Sequence, residues 1–181
     1  MQLTLVTGGA RSGKSDFAER MAIDAGEPAT FIATAEALDA EMEARIARHR
    51  ERRPSSWTTV ESPRDVSSAI VEATTRLVLL DCLTLLVSNV LLAADALEQN
   101  GDEAVQREVS ALLDARLGRE GRLIVVTNEV GLGIVPGTRL GRLYRDSLGR
   151  ANSRIAAQAD RVVLMVSGIP MYLERDLTSR F

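Results

Sequence analysis

Apolar residues along the chain fall into short unbroken runs that alternate with stretches spaced three and four apart, the pattern of strands alternating with helices. Gln2 to Thr7 reads as a strand, a Gly-rich turn follows, and Phe17, Met21 and Ala25, four apart, predict a helix over Asp16 to Ala25. Ala29 to Ala33 is a second strand, and Asp39 is placed to cap a helix that runs to Arg52 and stops before Pro54. Trp57 to Glu61 reads as extended and Arg64 to Thr74 as helical. Arg76 to Asp81 is apolar without alternation until its closing acid, as in a strand buried on both faces, and predicts a parallel central sheet. Leu83 to Leu97 and Glu103 to Leu117 read as helices with a turn at Asn100-Gly101 between them. Leu123 to Thr127 is a strand, Asn128 to Thr138 a loop holding three Gly and Pro136, Leu140 to Ala159 a helix and Arg161 to Val166 a further strand. The alternation predicts the α/β class, a three-layer α/β/α sandwich about a mostly parallel sheet. Across 181 residues there is no repeat or linker, and the segment after Pro170 is too short for a domain of its own, so one domain over 1–181 is expected.

Composition narrows the classes. Hydrophobic residues make up 45% and charged residues 26%, which describes a folded domain rather than a disordered chain. A net charge of −3 with no long basic run argues against a nucleic-acid partner. The longest apolar stretch, Leu77 to Ala94, is broken by Asp81, Thr84, Ser88 and Asn89, so neither a membrane span nor a signal peptide is expected and the location is expected to be cytoplasmic. Cys82, the one cysteine, has no partner for an intramolecular disulfide and reads as an inert buried thiol. Of 22 basic residues only Lys14 is a lysine, and His49 is the only histidine.

Lys14 lies in Gly8-Gly9-Ala10-Arg11-Ser12-Gly13-Lys14-Ser15, which fits G-x-x-x-x-G-K-[ST] between a strand and a helix. The glycines let backbone N–H groups face phosphate oxygens, the helix adds its positive end, Lys14 reaches the β- and γ-phosphates, and Ser15 ligates Mg²⁺. Asp81 is placed to hold the same ion through water, or to cap the helix before Leu83. Met42, Ile46 and His49 recur at helical spacing, so the histidine faces inward amid Arg45, Arg48, Arg50, Arg52 and Arg53. Such cations favour the neutral imidazole, a nucleophile toward a nucleotide α-phosphate, although a helix-terminal structural histidine fits the same spacing. Glu61 reads either as a base- or ribose-binding carboxylate or as a helix cap. The guanine-reading N-K-x-D string is absent; Thr127-Asn128-Glu129-Val130 comes nearest.

Taken together, GGARSGKS, FIATAEALDAEMEARIARHRERRP, WTTVESP, LLDCLT, TNEVGLGIVP and YRDSLGRANSRIAAQADRVVLMVSGIP resemble, nearly end to end, the bifunctional adenosylcobinamide kinase/adenosylcobinamide-phosphate guanylyltransferase family of cobalamin biosynthesis. The resemblance implies a RecA-like P-loop fold and two reactions. Adenosylcobinamide is phosphorylated with ATP or GTP, and GMP then passes from GTP to the adenosylcobinamide phosphate with release of pyrophosphate. It makes His49 the guanylylated residue and, with Lys14, catalytic. It also implies nucleotide contacts at Gly8, Gly9, Ala10, Arg11, Ser12, Gly13, Lys14, Ser15, Ala33, Thr34, Ala35, Arg50, Glu51, Arg52, Arg53, Glu61 and Asp81, with Mg²⁺ at Ser15 and Asp81. A homo-oligomer, a trimer, is implied as well. Asp81 and Glu61 are candidates for the base of the kinase step. The alternatives are a P-loop small-molecule kinase without guanylyl transfer, which would make no acid-labile guanylyl adduct, and a non-catalytic nucleotide switch, which would need no corrinoid.

Overall fold

A computed structural model of the chain describes residues 1–36, 50, 53–94 and 100–174. The expected helix from Asp39 to Arg52 lies outside these residues except for Arg50, and the helix expected to reach Leu97 ends at Ala93 with Ala94 as its C-cap. Seven strands form one sheet: β1 (Gln2–Gly8), β2 (Ala29–Ala33), β3 (Thr58–Glu61), β4 (Leu77–Asp81), β5 (Arg122–Val126), β6 (Arg161–Val166) and β7 (Ile169–Leu173). Their order is β3-β2-β4-β5-β1-β6-β7. Every pairing is parallel except β6 with β7. The helices are α1 (Lys14–Asp24), α2 (Val66–Glu72), α3 (Leu83–Ala93), α4 (Gly101–Leu117) and α5 (Arg139–Gln158).

The central strands read as continuous apolar runs because both faces are covered. On one face Val6, Phe31, Leu79 and Val126 pack with Ala18 and Ala22 of α1. On the other, Leu5, Ile32, Leu80 and Val125 pack under side chains of α2 to α5, among them Ile70, Leu86, Leu112 and Ile155. Each such buried Leu or Ile contributes about 1.5–3 kcal/mol relative to exposure. The expected three layers are therefore present, with α1 alone on its face among the described helices.

Three local readings need correction. Gly101 is not a turn residue but the first position of α4, whose N-cap is Asn100. Asp65 rather than Arg64 bounds α2: it is the N-cap, and its carboxylate accepts from the Ser68 N–H. Beyond Val166 the chain turns back through Ser167 and Gly168, both at positive φ, into β7. Two central residues at positive φ give the primed turn that matches strand twist, so a hairpin closes this edge of the sheet.

The floor of the sheet depends on one glycine. Gly121 has φ +107 and a Cβ there would be driven into the Arg76 carbonyl, which accepts a bond from Arg122 N–H at 2.8 Å. Gly121→Ala is expected to lower stability by about 2 kcal/mol or more in urea titration, from strain plus displacement of the β4–β5 junction.

Candidate nucleotide site

Open parallel sheets bind ligands at the carboxyl ends of their strands. Register places Glu61, Ala33, Asp81, Val126 and Val6 in one row across β3, β2, β4, β5 and β1. With strands about 4.8 Å apart, Asp81 lies two positions and ~10 Å from β1, whereas Glu61 lies four positions and ~19 Å away.

Gly8 to Ser15 carries the chain from β1 into α1. Gly8, at φ +148, is required by close approach, since a Cβ would strike the Met165 carbonyl of β6 and crowd Ser12 Oγ. Gly13, at φ +88, starts α1 in a left-handed conformation with no side-chain cap, so the first N–H groups of the helix are left to an anion. Gly9 differs: a Cβ there would meet nothing within 4 Å, so its openness is on the ligand side. Ala10 and Arg11 are exposed at the crest of the loop, with Arg11 at φ +55. Ser12 Oγ is buried without a hydrogen-bond partner in the protein, and so is Thr7 Oγ1, which sequence reasoning missed. Two orphaned hydroxyls beside a cage of amides suit a polyanion that accepts from them.

Lys14 is 7% exposed, and its Nζ donates to Gly9 O at 2.6 Å, so the ammonium is folded back over the loop. Burial lowers its pKa, and the nearby Asp81 carboxylate opposes that shift. A bound phosphate would act in the same sense as Asp81 and favour the charged form. Ser15 is half-buried in the first turn of α1 and Asp81 half-buried at the end of β4. Next to it, burial pushes the Cys82 thiol up to about 11, so it stays protonated and unreactive at neutral pH.

The remaining expected contacts divide. Ala33 ends β2 beside Asp81, and Ala35 is half-buried just beyond it. Thr34 is wholly buried: its hydroxyl donates to Cys82 O and accepts from Cys82 N–H, both at 2.8 Å, and its carbonyl accepts from Asn89 Nδ2. Its side chain ties β2 to β4 and holds Asp81 in place. Arg53 is turned inward, with its guanidinium 3.3 Å from the Phe31 ring centroid, its Nε 3.9 Å from Glu19 Oε1, and its Nη1 donating to Thr59. Arg50 and Glu61 are exposed. His49, Glu51 and Arg52 lie outside the described residues.

A polar chain unanticipated from sequence braces the loop from the β5 side. Thr84 Oγ1 accepts from Asn128 N–H, Thr127 Oγ1 donates to Asn152 Oδ1, and Asn152 Nδ2 donates to Asn128 O. Glu129 N–H then donates to Gly8 O at 3.0 Å. On the far side Gly168 N–H donates to Ser12 O, also at 3.0 Å. The phosphate loop is thus held between the segment after β5 and the β6–β7 hairpin.

Comparison with known proteins agrees with this arrangement. The fold is similar to that of the RadB recombinase, with a TM-score of 0.50 at 15% identity, covering 90% of this chain and 73% of that one. The chain is 44% identical over 173 residues to the bifunctional adenosylcobalamin biosynthesis protein CobP of Pseudomonas aeruginosa, covering 94% of this chain and 96% of that protein. It is 43% identical over 178 residues to the bifunctional adenosylcobalamin biosynthesis protein CobU of Salmonella typhimurium, covering 92% and 97%. The profile of the cobinamide kinase / cobinamide phosphate guanyltransferase family matches residues 4–173. The chain belongs to that family.

Proposed function

We propose that this chain phosphorylates the aminopropanol hydroxyl of adenosylcobinamide with ATP or GTP, and then transfers GMP from GTP to the new phosphate with loss of pyrophosphate. The observation that carries the reading is the family match over residues 4–173, which spans the phosphate loop and the histidine together. In the first reaction the loop amides and Lys14 grip the β- and γ-phosphates and stabilise the charge that develops there as the acceptor oxygen approaches in line.

The donor set suits Mg²⁺ carried on the nucleotide. Ser15 Oγ and, through water, Asp81 would hold it, and no group of three or more His, Cys, Asp or Glu among the described residues forms an all-protein cage. When bound, the ion neutralises charge on the phosphate oxygens. Asp81→Asn is expected to raise the Mg²⁺ concentration for half-maximal kinase activity about tenfold or more at little cost to folding, read from a magnesium titration. The ~19 Å between Glu61 and the P-loop strand argues against it as the kinase base and suits a role at the far end of the nucleotide.

In the second reaction the His49 imidazole forms a P–N bond to the α-phosphorus of GTP as the α–β bridge breaks and pyrophosphate leaves. The phosphate of adenosylcobinamide phosphate then attacks that phosphorus and frees the histidine. The same reading carries a cytoplasmic location and a homo-oligomer, a trimer, checked by sedimentation; no helix among the described residues is long and apolar enough to cross a membrane.

The test is incubation of purified protein with adenosylcobinamide, Mg²⁺ and either ATP or GTP, with corrinoid products followed by mass spectrometry. ATP alone should give the phosphate, and GTP the GDP adduct with pyrophosphate. A phosphate product that GTP never converts would leave a plain kinase, and nucleotide binding without corrinoid chemistry a switch.

A further inference from the structure

From the geometry after β5 we infer that residues 131–135 form the docking surface for the corrin macrocycle, an inference that rests on the kinase reading above. Three observations converge. Leu132 is 90% exposed, Ile134 97% and Val135 59%, three large apolar side chains within four residues. Exposed apolar clusters of this kind mark binding sites, whereas isolated ones need no explanation.

The loop that bears them is pinned rather than free. Glu129 Oε1 accepts from Gly131 N–H at 2.6 Å, and Arg142 Nη1 donates to Pro136 O and Gly137 O at 3.0 and 2.9 Å. Thr138 Oγ1 accepts from Gly141 N–H where α5 begins. Ordering this tip on binding therefore costs less than ordering a free loop would.

The third observation is continuity with the phosphate site. Glu129 N–H is bonded directly to Gly8 O in the phosphate loop, and Leu132 is three residues further on, a reach of at most about 11 Å. That is comparable to the span of the propionamide-aminopropanol arm that must deliver its hydroxyl to the γ-phosphate while the ring stays outside. A corrin periphery carries methyl groups between its amide arms. The apolar tip suits the methyls, and the ring is far too large for the loop's own interior. The β6–β7 hairpin also exposes apolar side chains, Ile169 and Tyr172 among them, beside Gly168, whose N–H donates to Ser12 O, but none of them is as exposed as Leu132 or Ile134.

The experiment compares the parent chain with the Leu132→Ser/Ile134→Ser double variant and with a Leu132→Met/Ile134→Leu control, measuring kinase kinetics against adenosylcobinamide and against ATP. Both side chains are solvent-exposed, so folding should be unaffected, and the ATP KM checks this directly. The expected result is a fall in kcat/KM for the corrinoid of about tenfold per side chain removed, carried by KM. The ATP KM should stay within twofold, the control should match the parent, and sedimentation should be unchanged. Corrinoid kinetics within twofold of the parent would overturn the inference. So would a loss accompanied by dissociation into smaller species, because the tip would then be a contact between copies of the chain. A parent chain that phosphorylates no corrinoid would overturn the kinase reading itself, an outcome visible before any variant is compared.

Discussion

His49→Ala is expected to lose guanylyl transfer at least about a thousandfold while adenosylcobinamide phosphorylation stays within about threefold of the parent. The asymmetry follows from the chemistry. A residue that forms a bond to phosphorus has no substitute once removed, whereas the proposed phosphoryl transfer relies on the loop from Gly8 to Ser15. The check is labelling with α-³²P-GTP in the presence of pyrophosphatase, followed by denaturing gels with and without acid. Label should sit on the parent alone and be lost in acid, as a P–N bond requires. A variant that still transfers GMP at parental rates would remove His49 from the reaction.

Lys14→Ala is expected to reduce phosphorylation by about 10²–10³-fold, the scale of losing one charge-assisted donor to a developing phosphoryl charge. More telling is Lys14→Arg, which should fail nearly as badly although it keeps the charge. Lys14 is 7% exposed with its Nζ 2.6 Å from Gly9 O, a slot that takes a compact ammonium but not a planar fork with five N–H groups. Thermal unfolding of both variants should stay close to that of the parent, since α1 holds its place through Ala18 and Ala22. An arginine variant with parental kcat would show that charge alone suffices.

Strands buried on both faces were the most legible parts of the fold. Ala29–Ala33 ends where its apolar run ends, because the parallel sheet leaves no polar face to blur the boundary; Arg161–Val166 also ends with its apolar run, although its burial alternates and its ends are exposed. β7 escaped because Pro170 and its largely exposed residues break the run, and its one signal is the Ser167-Gly168 turn after a β-rich segment. The phosphate loop was legible because its chemistry is local, eight consecutive residues between strand and helix. The ties of Thr34 to Cys82 and of Thr127 to Asn152 were not, for they join residues 48 and 25 positions apart through single side-chain bonds that no periodicity records. Arg53 shows the same limit. Its neighbours in sequence suggest an anion ligand, while its neighbours in space are Phe31 and Glu19.

The placing of β1 between β5 and β6 has a consequence for how the protein is made. Gln2 pairs with Arg122 and Thr4 with Arg161, so the strand that leads into the phosphate loop is made before partners that follow well over a hundred residues later. Such distant pairing makes for slow folding, because the entropy of closing the long loop is lost before any contact repays it. The hairpin turn at Gly168, which props Ser12, arrives later still. A complete phosphate loop therefore requires these distant pairings to be in place, so nucleotide binding and the stability of the whole sheet are expected to be thermodynamically linked.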